Sequence, residues 1–559
     1  MNSQLRFDIA DQRIVYDGQR EVHEFNEDRI IEFNHRHGTV LRNCGLQLDS
    51  AAVTVICDKF NLQSNLGALR NRQLRESAIV AAALSAVAVG LTGRGSLNRV
   101  PKEQITKELT NSLKRDNDRT AAQVMAQVLQ TTTERLPVGE EVLIESTITE
   151  GVRVKPGYEA GGNPTIAVGA LFGKPQHRQR YGTSMPASVT LLSMGNDVIE
   201  GTTKSVTGQH SSLTALFLTE SNVKRHLPDI YVQRWMAGAW FHDFNPREMS
   251  LVDSAAAVAA AYGMSEVNEL SAFFLDRKRH YPAMDQLNEA GITTPYDKDG
   301  DLFPAVVLGH EGISFPNGRR LDAMIGEIGG SAEWAVGVLP LVWRGGQAIG
   351  MLTSQSALSR KDRDPAKQWN ERFNFTEDEF IMIQDARFEH KPHFTIHDIL
   401  EDPFAGGIAA FGAITDNYYL PLMEGVKADH EADCVTVNVF VVNSMGLMEC
   451  WCLRLKAENS LEHSTKLLSS PKTDLTELKG ADLERAIGDH LADEDRRKQF
   501  RIFFNNEYYP AMIPMRDRVV MLHRVIDDLI ERGALAELDS KIVAITERLA
   551  PEWFVEPGD

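Results

Sequence analysis

Strand-like and helix-like patterns alternate over residues 70–430, and this alternation constrains the fold more than any other feature of the chain. Apolar strand candidates are separated by amphipathic or Ala-rich helix candidates, an arrangement typical of sheets covered by helices. We therefore predict an α+β or layered α/β fold with helices against mixed sheets. The strand candidates are Glu141–Ile144, Val189–Met194, Leu213–Leu218, Ala272–Leu275, Ala305–Leu308, Val435–Val442 and Glu449–Leu455, and the helix candidates are Leu69–Leu91, Thr120–Leu136 and Leu251–Tyr262.

The length of the chain indicates several structural units. A chain of 559 residues corresponds to roughly three or four domains of ordinary size. We predict a strand-rich N-terminal extension at 1–68, a core at 69–457 with halves 69–250 and 251–457, and a helical C-terminal extension at 458–559. In the last of these, Met515–Arg532 has one apolar stripe at helical spacing, which is more often core packing than a partner site.

Net charge and cysteine usage exclude several classes of protein. The formal net charge of −19 argues against general nucleic-acid binding, which depends on Lys and Arg neutralising phosphates. Five cysteines without framework spacing indicate a reducing compartment, so we predict a cytoplasmic protein. The N-terminus lacks an apolar signal region and the longest apolar run, Ala78–Leu91, is too short to span a bilayer, so no membrane partner is expected.

The most informative motif is the run Asp197-Val198-Ile199-Glu200-Gly201-Thr202. It follows the apolar stretch Val189–Met194, so we expect Asp197 and Glu200 to leave the C-terminal end of a buried strand together. Open α/β sheets bind ligands beyond that end of their strands, and carboxylate oxygens suit a hard divalent cation. The N–H groups of a tight Gly-Thr turn can donate to a phosphate oxygen. The alternative is a surface turn with two acidic residues.

Several charged residues elsewhere are candidates for the same site. Glu333 ends a Gly-rich segment, where the backbone can approach a ligand closely, and Glu145 ends a strand candidate. Asp118 stands at the expected start of a helix, where a carboxylate can simply cap the helix. The basic cluster Arg277-Lys278-Arg279-His280 follows a strand candidate and is either a solvated face or a phosphate clamp.

The other recognisable motifs carry less weight. His390, His393, His397 and Asp398 could suggest zinc, but Pro392 interrupts any helix that would align them, and we favour a structural role. The sequence contains neither a serine-hydrolase elbow nor a phosphate-cradling Gly-Lys-Ser/Thr loop. Those two enzyme classes are therefore excluded.

The order of the motifs resembles one phosphatase family, the class II, GlpX-type fructose-1,6-bisphosphatases of the lithium-sensitive, metal-dependent phosphatase superfamily. Asp197–Thr202 is similar to the family's Asp-Pro-Ile-Glu-Gly-Thr, with Val198 in place of Pro. Further similar segments follow in the family's order: Pro228-Asp229-Ile230-Tyr231, Arg277-Lys278-Arg279-His280, Lys298-Asp299-Gly300-Asp301 and Glu327-Ile328-Gly329-Gly330-Ser331-Ala332-Glu333. The agreement in order is stronger evidence than any single motif.

The N-terminal half of the core resembles the family less closely. Lys114 and Asp118 match a family segment by their four-residue spacing, with Ala121-Ala122 following. The run Glu145-Ser146-Thr147-Ile148-Thr149-Glu150 is similar to the family's Glu-Gly-Glu-Ile-Asp-Glu. In that register Thr149 replaces an acidic residue expected near the attacking water, which puts the catalytic base in question.

The resemblance implies a Mg²⁺- or Mn²⁺-dependent phosphatase that hydrolyses a sugar phosphate such as fructose-1,6-bisphosphate, and it implies a homo-oligomer. The implied catalytic residues are Lys114, Glu145 and Glu200, and the implied metal ligands are Asp118, Glu145, Asp197, Glu200 and Glu333. The implied substrate-binding residues are Gly201, Thr202, Tyr231, Arg277, Lys278, Arg279, Asp299, Gly300, Asp301 and Gly330. One alternative is a non-catalytic sugar-phosphate sensor or scaffold on the same fold, favoured by Thr149 and the two extensions. Another is a phosphatase for an inositol phosphate or a nucleotide.

Overall fold

The structure is a computed structural model that describes residues 13–17, 20–57, 65–150, 165–166, 170–180, 185–223, 232–241, 249–310, 320–328, 331–352 and 394–470. The helices in these ranges are α1 (Glu27–Asn43), α2 (Arg72–Thr92), α3 (Lys107–Glu134), α4 (Pro175–Arg180), α5 (Thr202–Thr207), α6 (Leu251–Ala261), α7 (Tyr281–Glu289), α8 (Leu302–Val307), α9 (Ser331–Trp343), α10 (Ile396–Ile399) and α11 (Leu461–Ser469). The strands are β1 (Arg13–Asp17), β2 (Arg20–Glu24), β3 (Leu46–Cys57), β4 (Val142–Thr149), β5 (Leu171–Phe172), β6 (Thr190–Glu200), β7 (Leu213–Thr219), β8 (Val232–Ala237), β9 (Ala272–Leu275), β10 (Tyr296–Asp297), β11 (Ala323–Ile328), β12 (Gln347–Leu352), β13 (Gly407–Ala413), β14 (Lys427–Asp429), β15 (Cys434–Asn443) and β16 (Met448–Ala457).

The strands form two mixed sheets. In the described part of the chain the larger sheet has eleven strands in the order β1-β2-β3-β16-β15-β13-β7-β6-β4-β5, with β14 paired to β15. Its pairs are antiparallel except for β4 and β6, which are parallel. The smaller sheet has the order β10-β9-β11-β8-β12, with β9 parallel to both β10 and β11. The predicted α+β class is therefore confirmed.

The two sheets are stacked with helices on both outer faces and between them. Helices α1, α2, α3 and α11 share one apolar core with the outer face of the larger sheet. The second core lies between the sheets and contains α8 and α9, together with Phe217 of the larger sheet and Phe273 of the smaller one. A third core packs α6 and α7 on the outer face of the smaller sheet. The layers thus alternate helix, sheet, helix, sheet, helix, and each apolar face is covered.

Helix α2 is the central helix of the first core. Apolar residues surround it on all sides, and Ala at many positions lets the backbone of the neighbouring sheet approach closely. The segment Arg72–Arg99 is long and apolar enough to cross a bilayer, but 89% of its most apolar window is buried inside the protein. It has the burial of a core helix.

One predicted element has the wrong type and another begins far from its predicted start. Residues 305–308 were expected to form a strand, but Leu302–Val307 is helix α8; a short apolar run reads the same in a buried strand and a buried helix. Helix α3 begins at Lys107, not at Thr120, because Thr106 caps it by accepting from the N–H of Leu109 at 3.1 Å.

The N-terminal residues contribute directly to the larger sheet. Strand β3 pairs with β16 over most of its length, and β2 and β1 continue the sheet outward. Helix α1, which the patterning did not predict, packs on the same face as α2. The predicted division at residue 68 stays a prediction, as does the helical extension beyond residue 470, which lies outside the described residues with its Met515–Arg532 stripe.

Candidate functional site

The carboxyl ends of β4 and β6 lie side by side at one edge of the larger sheet. Thr149 is opposite Asn196, and the N–H of Glu150 donates to the carbonyl of Asn196 at 3.2 Å. Strand β6 continues to Glu200, so the expectation that Asp197 and Glu200 follow the strand is wrong; both belong to it. The pairing with β7 is irregular between these two residues, and both side chains are buried. Irregular pairing of this kind re-aims side chains at a strand end.

Gly201 turns the chain from β6 into α5. Its φ of 72° lies in the left-handed region, which glycine adopts without strain. The hydroxyl of Thr202 reaches Asp118 Oδ1 at 3.4 Å and the carbonyl of Ile199 at 3.1 Å. The Gly-Thr turn therefore lies directly beside a carboxylate of α3.

Asp118 lies in the middle of α3 and is 1% exposed, so it does not cap a helix. Burial and the neighbouring negative charge of Glu150 raise its pKa well above the usual value, although Thr202 and Lys114 act in the opposite direction. Lys114 precedes Asp118 by one helical turn, on the same face of α3. The residue before Asp118, Asn117, donates to Ser205 Oγ at 2.9 Å, and this bond ties α3 to α5.

Glu200 bonds the start of helix α8. Its Oε1 accepts from the N–H groups of Asp301 at 2.5 Å and Leu302 at 2.8 Å. Such N–H groups have no partner within their own helix, and the positive end of the helix dipole favours a carboxylate there. Burial and the charges of Asp301, Asp299 and Glu150 nevertheless raise the pKa of Glu200 well above its usual value.

Glu150, which directly follows β4, lies at this edge beside Asn196. The expected strand end at Ile144 is wrong, because β4 continues to Thr149 and Glu145 lies in its middle, opposite Ser193 of β6. Asp197 lies four residues further along β6, roughly 13 Å away at the usual rise per residue. Glu150, in contrast, acts on the pKa of both Asp118 and Glu200. The signal that could have found it is the apolar pattern of β4, which extends through Ile148.

Thr149 is part of a neutral buried network. Its hydroxyl bonds the hydroxyl of Thr165 at 2.7 Å and donates to Asn196 Oδ1 at 3.1 Å. Thr165 Oγ1 also lies 3.1 Å from Asn196 Oδ1, so its single proton is donated either to this oxygen or to Thr149. The position where the resemblance leads one to expect an acidic residue therefore holds a side chain that is satisfied without a charge.

The turn from Asp297 to Asp301 faces these carboxylates from the smaller sheet. Gly300 has a φ of 85°, which favours glycine, and its Cα faces Glu200 and Lys204. Lys204 Nζ lies 2.8 Å from Asp297 Oδ2, and Arg234 Nη1 lies 2.8 Å from Asp301 Oδ2. Sequence reasoning missed Lys204 and Arg234, because their partners are distant in the chain.

The basic cluster after β9 divides between this turn and the protein interior. Arg277 donates to the carbonyl of Lys298, and its charge lowers the pKa of Asp299, although burial raises that pKa overall. Arg279 is half-buried and Lys278 is exposed. His280 is buried; its Nδ1–H donates to the carbonyl of Leu275 at 2.8 Å, and burial lowers its pKa to about 3. The ring is therefore neutral and structural.

The donor set at the edge fits a hard divalent cation. Asp118 Oδ2 is buried without a hydrogen-bond donor among the described residues, and the charge of a second carboxylate, Glu150, acts on it. Carboxylates that raise one another's pKa are stabilised when a cation binds between them. In the described ranges no three Asp, Glu, His or Cys side chains already converge on one point.

Several predicted residues cannot be placed. Tyr231 and Gly330 lie outside the described residues, and so do His390 and His393. Glu333 lies in the first turn of α9, and its side chain is outside the description. Asp398 accepts from the N–H of Thr395 at 3.0 Å and so caps α10.

Comparison with known proteins supports the resemblance over the middle of the chain. Residues 181–446 match the family described as bacterial fructose-1,6-bisphosphatase, glpX-encoded. The match contains Asp197, Glu200 and the Asp297–Asp301 turn but begins after Asp118 and Glu150. The placement of those two residues therefore rests on the geometry.

The similar curated proteins are distant relatives. Two from Synechococcus sp. (strains JA-2-3B'a(2-13) and JA-3-3Ab), each named D-fructose 1,6-bisphosphatase class 2/sedoheptulose 1,7-bisphosphatase, are 26% identical over 42% of this chain. The chain spans 62% of the length of these relatives. Fructose-1,6-bisphosphatase 1 class 2 of Escherichia coli (strain K12) is 26% identical over 25% of this chain and 39% of its own length.

Proposed function

We propose that this chain, whose residues 181–446 match the glpX-type fructose-1,6-bisphosphatase family, is a divalent-metal-dependent phosphatase acting on a sugar phosphate. The observation that carries the proposal is the pair of buried carboxylates Asp118 and Glu200 beside the Gly201-Thr202 turn, both acted on by the charge of Glu150, with Asp197 buried three residues before Glu200. Buried carboxylates with raised pKa at the carboxyl edge of parallel strands are typical of a functional site. The names of the relatives favour fructose-1,6-bisphosphate or a related sugar bisphosphate as substrate.

Mg²⁺ or Mn²⁺ would be held by these four carboxylates, with Glu333 as a further ligand implied by the family. When bound there, the ion would activate water and neutralise charge on the transferred phosphoryl group. The N–H groups of the Gly201-Thr202 turn would orient the scissile phosphate, and Lys114 would add positive charge next to Asp118.

The smaller sheet would bind the rest of the substrate. Asp299 and Asp301 offer carboxylates to sugar hydroxyls, and Arg277 and Lys278 offer cations to a second phosphate at the rim. Tyr231 and Gly330 keep the substrate-binding roles that the family implies. The partner is thus a small sugar phosphate, with neither nucleic acid nor membrane, and we extend the proposal to a homo-oligomer in the cytoplasm, where the free thiols of Cys44, Cys434 and Cys450 would persist.

A phosphate-release assay tests the proposal. The protein is incubated with a panel of sugar mono- and bisphosphates, inositol phosphates and nucleotides in Mn²⁺, and then in EDTA. Release from a sugar bisphosphate that EDTA abolishes is the expected result. Release only from an inositol phosphate or a nucleotide would overturn the substrate class.

The Thr149 network favours a second candidate function, a non-catalytic sugar-phosphate sensor on the same fold. A neutral side chain at this position lacks the proton acceptor that the resemblance implies near the attacking water. For a sensor, the panel would give no phosphate release, while calorimetry would still detect binding of a sugar bisphosphate. Thr149→Asp separates the two further, because a gain of phosphate release in that variant would show that only the base is missing.

A further inference from the structure

Lys204 joins the two sheets where they meet at the candidate site. Its side chain extends from α5, next to the end of β6, and is 4% exposed. Its Nζ lies 2.8 Å from Asp297 Oδ2 on β10 of the smaller sheet. Tyr419, which follows β13 of the larger sheet, donates its hydroxyl to the same oxygen at 3.2 Å. Two groups from one sheet therefore hold one carboxylate of the other.

The turn after Asp297 is packed against the same lysine. A Cβ added to Gly300 would lie 3.3 Å from Lys204 Nζ and 3.9 Å from Glu200 Oε1, so the turn is in contact with both groups, and its φ of 85° favours glycine there. Glu200 bonds the backbone immediately beyond, at Asp301 and Leu302. The turn is thus held from the larger sheet at two points, by a cation at its start and a carboxylate at its end.

Lys204 supplies one of the cations that balance this acidic turn. Its ammonium pairs with Asp297 at 2.8 Å, Arg234 pairs with Asp301 at 2.8 Å, and Asp299 lies between these two paired carboxylates in the chain. Without the ammonium, the Asp297 carboxylate would lose its buried cation and the acidic groups would push the turn away from Glu200.

We propose that Lys204 is a positioning residue that fixes the spacing between the Gly201-Thr202 turn and the Asp299–Asp301 turn, and that this spacing selects the size of sugar phosphate that the site accepts. The inference rests on the proposed function, because the two turns are taken to bind the phosphate and the sugar. Lys204 is paired with Asp297 and, in this proposal, acts through the turn rather than on the substrate.

Kinetics of Lys204→Met and of the charge exchange Lys204→Glu with Asp297→Lys test the proposal. Loss of the spacing should raise the KM for fructose-1,6-bisphosphate about tenfold or more, with kcat changed less than about threefold, because the groups around the scissile phosphate remain. The charge exchange should bring KM most of the way back to the wild-type value. The matched control is Lys427→Met, which removes an exposed lysine paired with Glu424 at 2.6 Å and should leave KM unchanged.

Hydrogen exchange provides a readout independent of activity. In Lys204→Met the N–H groups of Asp301 and Leu302 should exchange faster, while those of α2 keep their wild-type protection. A variant with wild-type KM and wild-type exchange at the turn would overturn the proposal, and so would equal loss of protection throughout the protein, which indicates a general stability effect. If the wild type releases no phosphate from any substrate, the proposed function fails, and exchange at the turn still decides whether Lys204 positions it.

Discussion

Two buried carboxylates of this protein, Glu76 and Glu200, have opposite electrostatic surroundings. Glu76 of α2 is 2% exposed and accepts from Arg36 Nε at 2.9 Å and Arg72 Nε at 2.8 Å, with His37 Nε2 at 3.0 Å. Burial by itself would raise its pKa, but the hydrogen bonds from His37 and Arg36 outweigh burial and lower the pKa to about 2. The cluster joins α1 to α2, and so the N-terminal residues to the core.

Glu200 is equally buried but faces Asp301, Asp299 and Glu150, and its pKa is raised. A carboxylate neutralised by its own protein needs nothing further and serves the fold. A carboxylate surrounded by like charge is stable when ionised only if a cation is added. The comparison therefore separates a structural acid from a functional one by the sign of its neighbours, since burial is the same for both.

The largest expected effect is the loss of phosphatase activity when Glu200 or its neighbour Asp197 is neutralised. Glu200→Gln and Asp197→Asn should each lower phosphate release by at least about 10²–10³-fold, as expected when a group that stabilises the transition state is lost. Thermal unfolding should show unchanged or increased stability, because a neutral side chain replaces a buried charge. Wild-type turnover in both variants would contradict the assignment of Asp197 and Glu200 to the metal site.

The next largest expected effect is the loss of stability when Glu76 is neutralised. Glu76→Gln should lower the free energy of unfolding by about 3–5 kcal/mol, because it leaves Arg36 and Arg72 without their buried anion. Urea unfolding measures the change, and kcat of the folded variant should equal that of wild type. A loss of activity without a loss of stability would contradict the structural role of Glu76.

The pH dependence of stability should have opposite signs at the two sites. The folded-state pKa of Glu76 is depressed from 4.5 to about 2, so its contribution of about 3 kcal/mol is complete above pH 4.5 and lost as pH falls towards 2. The folded-state pKa of Glu200 is raised, so its contribution is complete below its unfolded value of 4.5 and lost as pH rises above it.

Unfolding of metal-free protein at several pH values measures both contributions. Between pH 4.5 and 2 the difference between wild type and Glu76→Gln should disappear. Above pH 4.5 Glu200→Gln should become progressively more stable than wild type. The same sign for both variants would contradict the electrostatic contrast.

The smallest expected effect is the stabilisation by a divalent cation. At a Mn²⁺ concentration 100 times its Kd, wild type should gain about 2.7 kcal/mol, measured as a rise in Tm that EDTA reverses. The rise should persist in Glu76→Gln and vanish in Asp118→Asn and Glu150→Gln. If the Mn²⁺-dependent rise in Tm were undiminished in Glu150→Gln but lost in Glu145→Gln, the metal ligand would be Glu145, as the family resemblance implies, and not Glu150.

Much of the fold was predictable, because local patterns carry it. The strand Val189–Met194 and the helix Leu69–Leu91 were found by apolar periodicity alone, and the structure extends or shifts them by a few residues. Helix α8 was mistaken for a strand because its six residues are buried on every side, so no periodicity distinguishes the two. Helix α1 was missed for the opposite reason, since most of its residues are polar.

The sequence by itself determined which site residues lie together when those residues are close in the chain. Lys114 and Asp118 share a helix face through the 3.6-residue period, and Asp197, Glu200 and Gly201 share a strand end. Only the tertiary structure decided that Glu150, directly after β4, lies beside Asn196, because the register of parallel strands, not a local pattern, sets which residues are opposite each other. It also decided that Lys204 meets Asp297 and that Glu200 bonds α8, across 93 and about 100 residues. Such contacts depend on how two sheets are stacked, and no pattern within either segment encodes the distance between them.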